Sequence, residues 1–295
     1  MYGKMSKTFD IIAISTGQDV GLISQLITSI EASHGKVKIG LILIKQGKAW
    51  PKEQLSPLLL KLINGPERLS LSKARNLGLN HLFQEKLHAK HIIFPDDDST
   101  FDAEYFKNYA RLCQEGEAYL SKIKNLEDGK NYKTYPDTKT TGGIDLLPLV
   151  ASVSLIIPHP WVQKIGPFDE QLGAGASYGS SEDLDYFLRA LDYGKFSFLP
   201  EIYNLHPSRF GKYDSLSSTQ IKQRFQTYTD GYLYVFFKHK LFNKLKLFPE
   251  RALGGFVLSL LKFDIKLAMQ YFWLYRYRKN QIQVLSKKNS ANKLR

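Results

Sequence analysis

The chain contains a single cysteine, Cys113, so no internal disulfide can form and the fold must be held by its core. That usage suits a reducing compartment. No uncharged apolar run approaches the roughly 18 residues of a spanning helix. The first apolar run, Ile11 to Ile14, is too short for the core of a signal peptide. A cytoplasmic protein is therefore expected. Internal repeats and low-complexity tracts are missing as well. Acidic residues are scarce in one region only: from Arg209 onward there are 4 Asp and Glu against 18 Lys and Arg, whereas residues 1 to 208 hold 24 acidic and 23 basic residues. A near-neutral body followed by a strongly basic end points to a polyanionic partner. Nucleic acid is not expected, because no recognised binding motif accompanies the charge.

What is present suits a globular α/β protein. Of the 295 residues, 43% are hydrophobic, enough for a sizeable core. "FDIIAIST" (9–16) reads as a strand, and Leu22, Ile23, Leu26, Ile27 and Ile30 then recur at helical spacing. "VKIGLILI" (37–44) reads as a second strand. A helix starting near Ser70 or Ser72 and the strand "HIIF" follow. This alternation predicts a mostly parallel sheet flanked by helices. The polar stretch 121–143 reads as a long loop, 149–158 as a strand, 179–194 as a capped helix, and 196–206 as one or two short strands. Domain boundaries are expected at 1–210 (catalytic), 211–282 (helical extension) and 283–295 (disordered tail).

Two acidic clusters carry the chemistry. "HIIFPDDDST" places Asp96, Asp97 and Asp98 just past a strand's carboxyl end, where ligands bind in open α/β sheets. Three adjacent carboxylates repel one another and attract a hard divalent cation such as Mn²⁺ or Mg²⁺. The competing reading is structural, with Asp98 or Ser99 capping the next helix. In "GSSEDLDYFLR", Glu182 and Asp183 fall in a helix's first turn, where Ser180 and Asp183 have capping-box spacing. The preceding "GPFDEQLGAGASYGS" reads as a mobile glycine-rich loop.

"LSLSKARNLGL", "IIFPDDDS", "IGPFDEQLGAGASYGSSEDLDYFLRAL" and "LHPSR", in that order, resemble the family 2 glycosyltransferases of the GT-A fold from about Phe9 to Arg209. The resemblance implies a metal-dependent, inverting transfer of a sugar from a nucleotide-sugar, with a UDP-sugar favoured, to a glycan or lipid-linked acceptor. Surface-polysaccharide synthesis, such as capsule or lipopolysaccharide, is the implied setting. It makes Asp98 and Asp96 metal ligands with His206 approaching them, and Asp183, beside Glu182, the general base. Arg75 would lie near the donor phosphates, with Ser208 and Arg209 available to phosphate. The usual base-reading aspartate is replaced by Gln46. Ser15, Thr16 and Asp97 complete the donor side. Rivals are a sugar-phosphate nucleotidyltransferase and a non-catalytic scaffold that binds membrane or glycan. In the basic end, Trp273, Tyr275 and Tyr277 beside Arg276, Arg278 and Lys279 suit the face of an anionic membrane. The protein is thus expected at the inner surface of the cell membrane.

Overall fold

The computed structural model describes residues 8–47, 56–65, 68–208, 216–245 and 248–292, with side chains to 285. Contacts divide the chain into two units, Met1–Glu170 with Glu182–Arg209, and Gln171–Ser181 with Phe210–Arg295.

The first unit is built on an eight-stranded sheet. Its strands are β1 (Thr8–Gly17), β2 (Ile39–Gln46), β3 (Leu59–Gly65), β4 (His88–Ile93), β5 (Ala118–Asn125), β6 (Thr140–Gly142), β7 (Leu155–Pro158) and β8 (Phe196–His206). They lie in the order β3-β2-β1-β4-β7-β5-β8-β6. The pairs β1/β2, β1/β4, β2/β3 and β5/β8 are parallel, whereas β7 and β6 pair antiparallel. β1 and β2 are buried almost throughout, as strands covered on both faces must be. Helices α1 (Val20–Ser33), α2 (Leu71–Gln84), α3 (Ala103–Leu112), α4 (His159–Ile165) and α5 (Glu182–Ala190) complete the unit. Ile23, Leu26, Ile27 and Ile30 of α1 enter one core cluster with Ile11, Leu41, Phe101 and Tyr105.

Gly78 shows how closely α2 sits on the sheet. A Cβ there would collide with Ile14 Cγ2 and press on Ile44 Cδ1 at 3.0 Å, both from central strands. Gly78→Ala is therefore expected to destabilise the protein by about 1–3 kcal/mol, measured as a lowered denaturation midpoint.

Several local expectations change. The edge strand β3 was not anticipated, since "LLLKLING" lacks the alternation of a half-buried strand. The polar stretch 121–143 is not one loop, because β5 runs to Asn125 and β6 takes Thr140–Gly142. Lys122 and Lys124 disguised β5, yet the Lys124 ammonium lies 3.6 Å from the centre of the Tyr203 ring. The strand expected over 149–158 is confined to Leu155–Pro158, after short 3-10 turns at Ile144–Leu149 and Ser152–Ser154. The Ser154 hydroxyl donates to Ala151 O and accepts from Ala151 N–H, holding a local turn that competes with a sheet ladder. β8 is a single strand whose register against β5 shifts between Ser121 and Lys122.

The second unit holds α6 (Ser218–Lys238), α7 (Phe242–Leu245), α8 (Glu250–Leu261) and α9 (Ile265–Asn292). α9 continues helically past 282, through a stretch that has neither glycine nor proline. Within this unit the glycine-rich segment is anchored. Tyr178 stacks on Tyr234 at 4.4 Å, and the Ser180 hydroxyl donates to Tyr228 O.

Candidate active site

Four stretches of the first unit meet at one edge of the sheet. β4 ends at Ile93, and the chain then turns through Pro95 into the aspartate triad. The triad does not cap the following helix. Asp102 does, accepting from Tyr105 N–H at 3.0 Å. Asp96, Asp97 and Asp98 lie ahead of that cap, just past the end of β4.

Arg75 organises the site. It sits in the second turn of α2, is 1% exposed, and places its guanidinium between two carboxylates. Nη2 donates to Asp96 Oδ1 at 2.8 Å and Nη1 to Glu182 Oε1 at 3.1 Å. The planar fork of arginine serves two acids at once, which an ammonium would not do with the same geometry. The guanidinium also lies 5.5 Å from the Phe168 ring centre. Next to it, Asn76 donates to Phe168 O and Glu170 Oε1 and accepts from Phe168 N–H. Two adjacent residues of α2 therefore tie together segments that lie far apart in the chain.

His206 reaches the triad through backbone pairing. Thr100 and Leu205 exchange hydrogen bonds of 2.9 Å in each direction, which brings the end of β8 beside the aspartates. His206 Nε2 then lies 3.3 Å from Asp98 Oδ1 and 4.0 Å from Asp96 Oδ2. Donor atoms of Asp96, Asp98 and His206 all fall within 4.8 Å of one another.

The chemistry of this donor set fits a hard divalent cation. His206 Nδ1 is 2.9 Å from Pro207 O, a carbonyl that can only accept, so that nitrogen carries the hydrogen. With that tautomer a neutral ring would present the Nε2 lone pair beside two carboxylates, a nitrogen and oxygen donor set that a divalent cation can take. Tyr132 packs edge-on against the imidazole at 5.4 Å. Asp97 turns elsewhere, to Gly17, where a Cβ would overlap its carboxylate. Burial and the charges of Asp98 and Asp96 push Asp97 up to about 6. Removal of the imidazole by His206→Ala is expected to weaken Mn²⁺ binding by at least about tenfold, read by calorimetric titration.

Glu182 and Asp183 have different surroundings. Burial raises Glu182 to about 7, helped by the charge of Asp183 and opposed by Arg75. Burial also raises Asp183, against the Leu184 N–H bond and the charges of Lys133 and Arg75. Asp183 Oδ1 accepts that Leu184 N–H at 2.8 Å. Glu182 is bound to Arg75, while Asp183 is partly open to solvent. The Ser180–Asp183 capping box is not what holds Ser180, whose hydroxyl pairs with that of Ser181.

On the donor side, Gln46 is buried and used at both ends of its amide. Nε2 donates to Thr16 Oγ1 at 2.8 Å, and Oε1 accepts from Leu69 N–H at 2.7 Å. Ser15 is buried, and its Oγ finds no hydrogen-bond partner among the described residues. Asp19 caps α1. Ser208 N–H donates to the Glu127 carboxylate, while Arg209 lies outside the described residues.

Sequence reasoning missed three participants. Lys45, 1% exposed, donates to Gln18 O at 2.7 Å and Gln46 O at 2.8 Å, pinning the turn after β1. Its signal was a lone lysine closing the run "LILIK". Ser152 donates to Asp96 Oδ1 at 3.3 Å. Lys133 donates to Val150 O at 2.8 Å and bears on Asp183 through its charge. Neither of these last two carried a sequence signal.

No described protein family and no curated protein matches the sequence. Among solved structures, S. aureus TarS 1–349 aligns over 92% of this chain and 92% of its own, with a TM-score of 0.53 and 16% identity. The same fragment in complex with UDP-GlcNAc gives 0.53 at 15% identity over the same shares. A longer TarS chain gives 0.52 at 15% identity, covering 77% of this chain and 43% of its own, so this chain spans less than half of that protein. These likenesses establish the fold: a mostly parallel α/β sheet flanked by helices, of the GT-A kind, followed by C-terminal helices.

Proposed function

We propose that the protein is a metal-dependent, inverting glycosyltransferase that takes a nucleotide-sugar as donor. The acceptor we propose is a glycan or lipid-linked glycan of the cell surface, such as capsule or lipopolysaccharide. The observation that carries this reading is the Arg75 bridge. It joins the aspartate triad to the Glu182–Asp183 pair, so a cation-binding set and a raised, partly open carboxylate occur together. The UDP-GlcNAc complex of the TarS fragment supports a nucleotide-sugar as ligand and makes a UDP-sugar the first donor to try.

In this reading Asp96, Asp98 and His206 hold Mn²⁺ or Mg²⁺. When bound, that ion offsets the charge developing on the departing diphosphate. Asp183 takes the proton of the acceptor hydroxyl as its oxygen forms the new bond to the anomeric carbon. Burial strengthens Asp183 as a base by raising its affinity for that proton. Glu182 is a positioning residue, fixing Arg75 and through it Asp96. Thr16 and Gln46 support the donor pocket, and Ser15 supplies an unused hydroxyl there.

The nucleotidyltransferase alternative finds no support at the turn after β1. There Asp19 caps α1, and no glycine-rich phosphate cradle replaces it. The test is turnover of a panel of nucleotide-sugars with Mn²⁺ or with EDTA. Metal-dependent release of nucleoside diphosphate is expected, with the anomeric configuration of any transferred sugar inverted by NMR. Release of pyrophosphate, or no turnover of any donor, would overturn the assignment.

A further inference from the structure

In the helical unit the aromatic and basic belt of the sequence is half-buried, with Arg276 and Lys279 exposed. Tyr271, Trp273 and Tyr275 pack against its internal cluster of Ile221, Phe225, Ala252 and Leu274. Tyr277 donates to Asp230 at 2.9 Å. Arg278 donates to Phe248 O at 2.9 Å and lies 4.0 Å from the Phe248 ring centre. Much of the aromatic and basic belt is thus spent inside the unit.

The most exposed apolar side chains of this unit cluster at the knuckle between α8 and α9. Exposure reaches 71% at Leu261 and 90% at Phe263, with 60% at both Leu258 and Ile265 and 58% at Met269. Phe263 also takes a left-handed conformation, φ 57°, which a bulky residue rarely adopts and a glycine would adopt freely. The turn is well tied. Phe263 N–H donates to Leu260 O, Asp264 N–H donates to Ser259 O, and the Asp264 carboxylate caps α9 through Leu267 N–H. A bulky apolar side chain is therefore held outward on a fixed turn, flanked by the exposed Lys262 and Lys266.

We propose that this knuckle is a membrane-docking element that enters the headgroup layer of an anionic bilayer. It rests on the lipid-linked acceptor given under Proposed function, which would lie at a membrane, and it does not depend on glycosyl transfer. Among the described residues no helix is long and apolar enough to cross a membrane, so the element lies in the interface. Charge selects the occupant. Residues 210–295 hold 17 Lys and Arg against 4 Asp and Glu. A second copy docked there by a twofold axis would bring two such basic segments together, with Lys262 and Lys266 exposed beside each knuckle. An anionic lipid surface complements it, while Leu261, Phe263 and Ile265 gain an apolar environment.

The test uses the whole protein in vesicle sedimentation, comparing phosphatidylcholine with phosphatidylglycerol-containing vesicles. Wild type is expected to sediment with the anionic vesicles, and about 0.5 M salt should weaken the attachment. The double variant Leu261→Ser, Phe263→Ser should bind them about tenfold or more weakly, at an unchanged melting temperature because both side chains are exposed. Single Phe263→Gly, which relaxes the backbone, should also lose attachment while gaining stability. Equal binding by the double variant, or no binding by wild type, would overturn the proposal. So would a wild-type dimer in lipid-free solution that the variant breaks. Donor binding measured on the same samples keeps the two readings apart: vesicle binding without nucleotide binding removes the transferase and leaves the docking element.

Discussion

Asp183→Asn is expected to lower glycosyl transfer by about 10²–10⁴-fold, the range a positioned general base supplies. Nucleotide-sugar binding should be preserved. The substitution keeps the size of the side chain and an oxygen for the Leu184 N–H, and removes the second oxygen's capacity to take a proton. The loss should therefore fall in kcat. Dependence on pH gives a second readout. Burial raises Asp183 above the ordinary value of 3.8, and the base works only when ionised, so wild-type kcat should rise with pH through a point above that value. The limb should disappear in the asparagine variant. A variant that kept both its rate and its pH profile would remove Asp183 from the chemistry.

Arg75→Met should have the largest effect on stability. It deletes the guanidinium that pairs with both Asp96 and Glu182, at 2.8 and 3.1 Å. Removing one partner of a buried ion pair costs about 3–5 kcal/mol. The deficit should itself depend on pH. Glu182 already stands at about 7 against an ordinary 4.5, with Arg75 holding it down. Without Arg75 it rises further, so the folded state binds a proton that the unfolded state releases. Stability then falls as pH rises between the unfolded and folded values, and the gap from wild type narrows in acid. Melting temperatures of both proteins across that range would show it. Arg75→Lys should recover only part of the loss, because a point charge does not serve two carboxylates in the same plane.

The sequence made the parallel half of the sheet legible, since β1 and β2 are continuous apolar runs and α1 and α2 carry their cap and periodicity. β5 was hidden because Lys122 and Lys124 look solvated in sequence, whereas both are half-buried and Lys124 packs on the Tyr203 ring. The candidate site was legible where it rests on acidic clusters beside strand and helix ends. Its connections were not. That Arg75 bridges Asp96 and Glu182 depends on a contact 107 residues apart in the chain. His206 meets Asp98 only because Thr100 and Leu205 pair. The C-terminal helices show the opposite failure. A pattern suited to a membrane belt is partly internal packing, because aromatic rings and arginine stems serve a small core as well as they serve an interface.

Calorimetric titration of UDP-sugars and GDP-sugars into the protein with Mn²⁺, with EDTA, and into Asp98→Ala with Mn²⁺ tests the central claim most directly. Binding of one nucleotide class that requires Mn²⁺ and is lost in Asp98→Ala is the expected result. Binding that is unchanged by EDTA and by the substitution, or no binding of any nucleotide, would contradict a cation-assisted donor site at Asp96, Asp98 and His206.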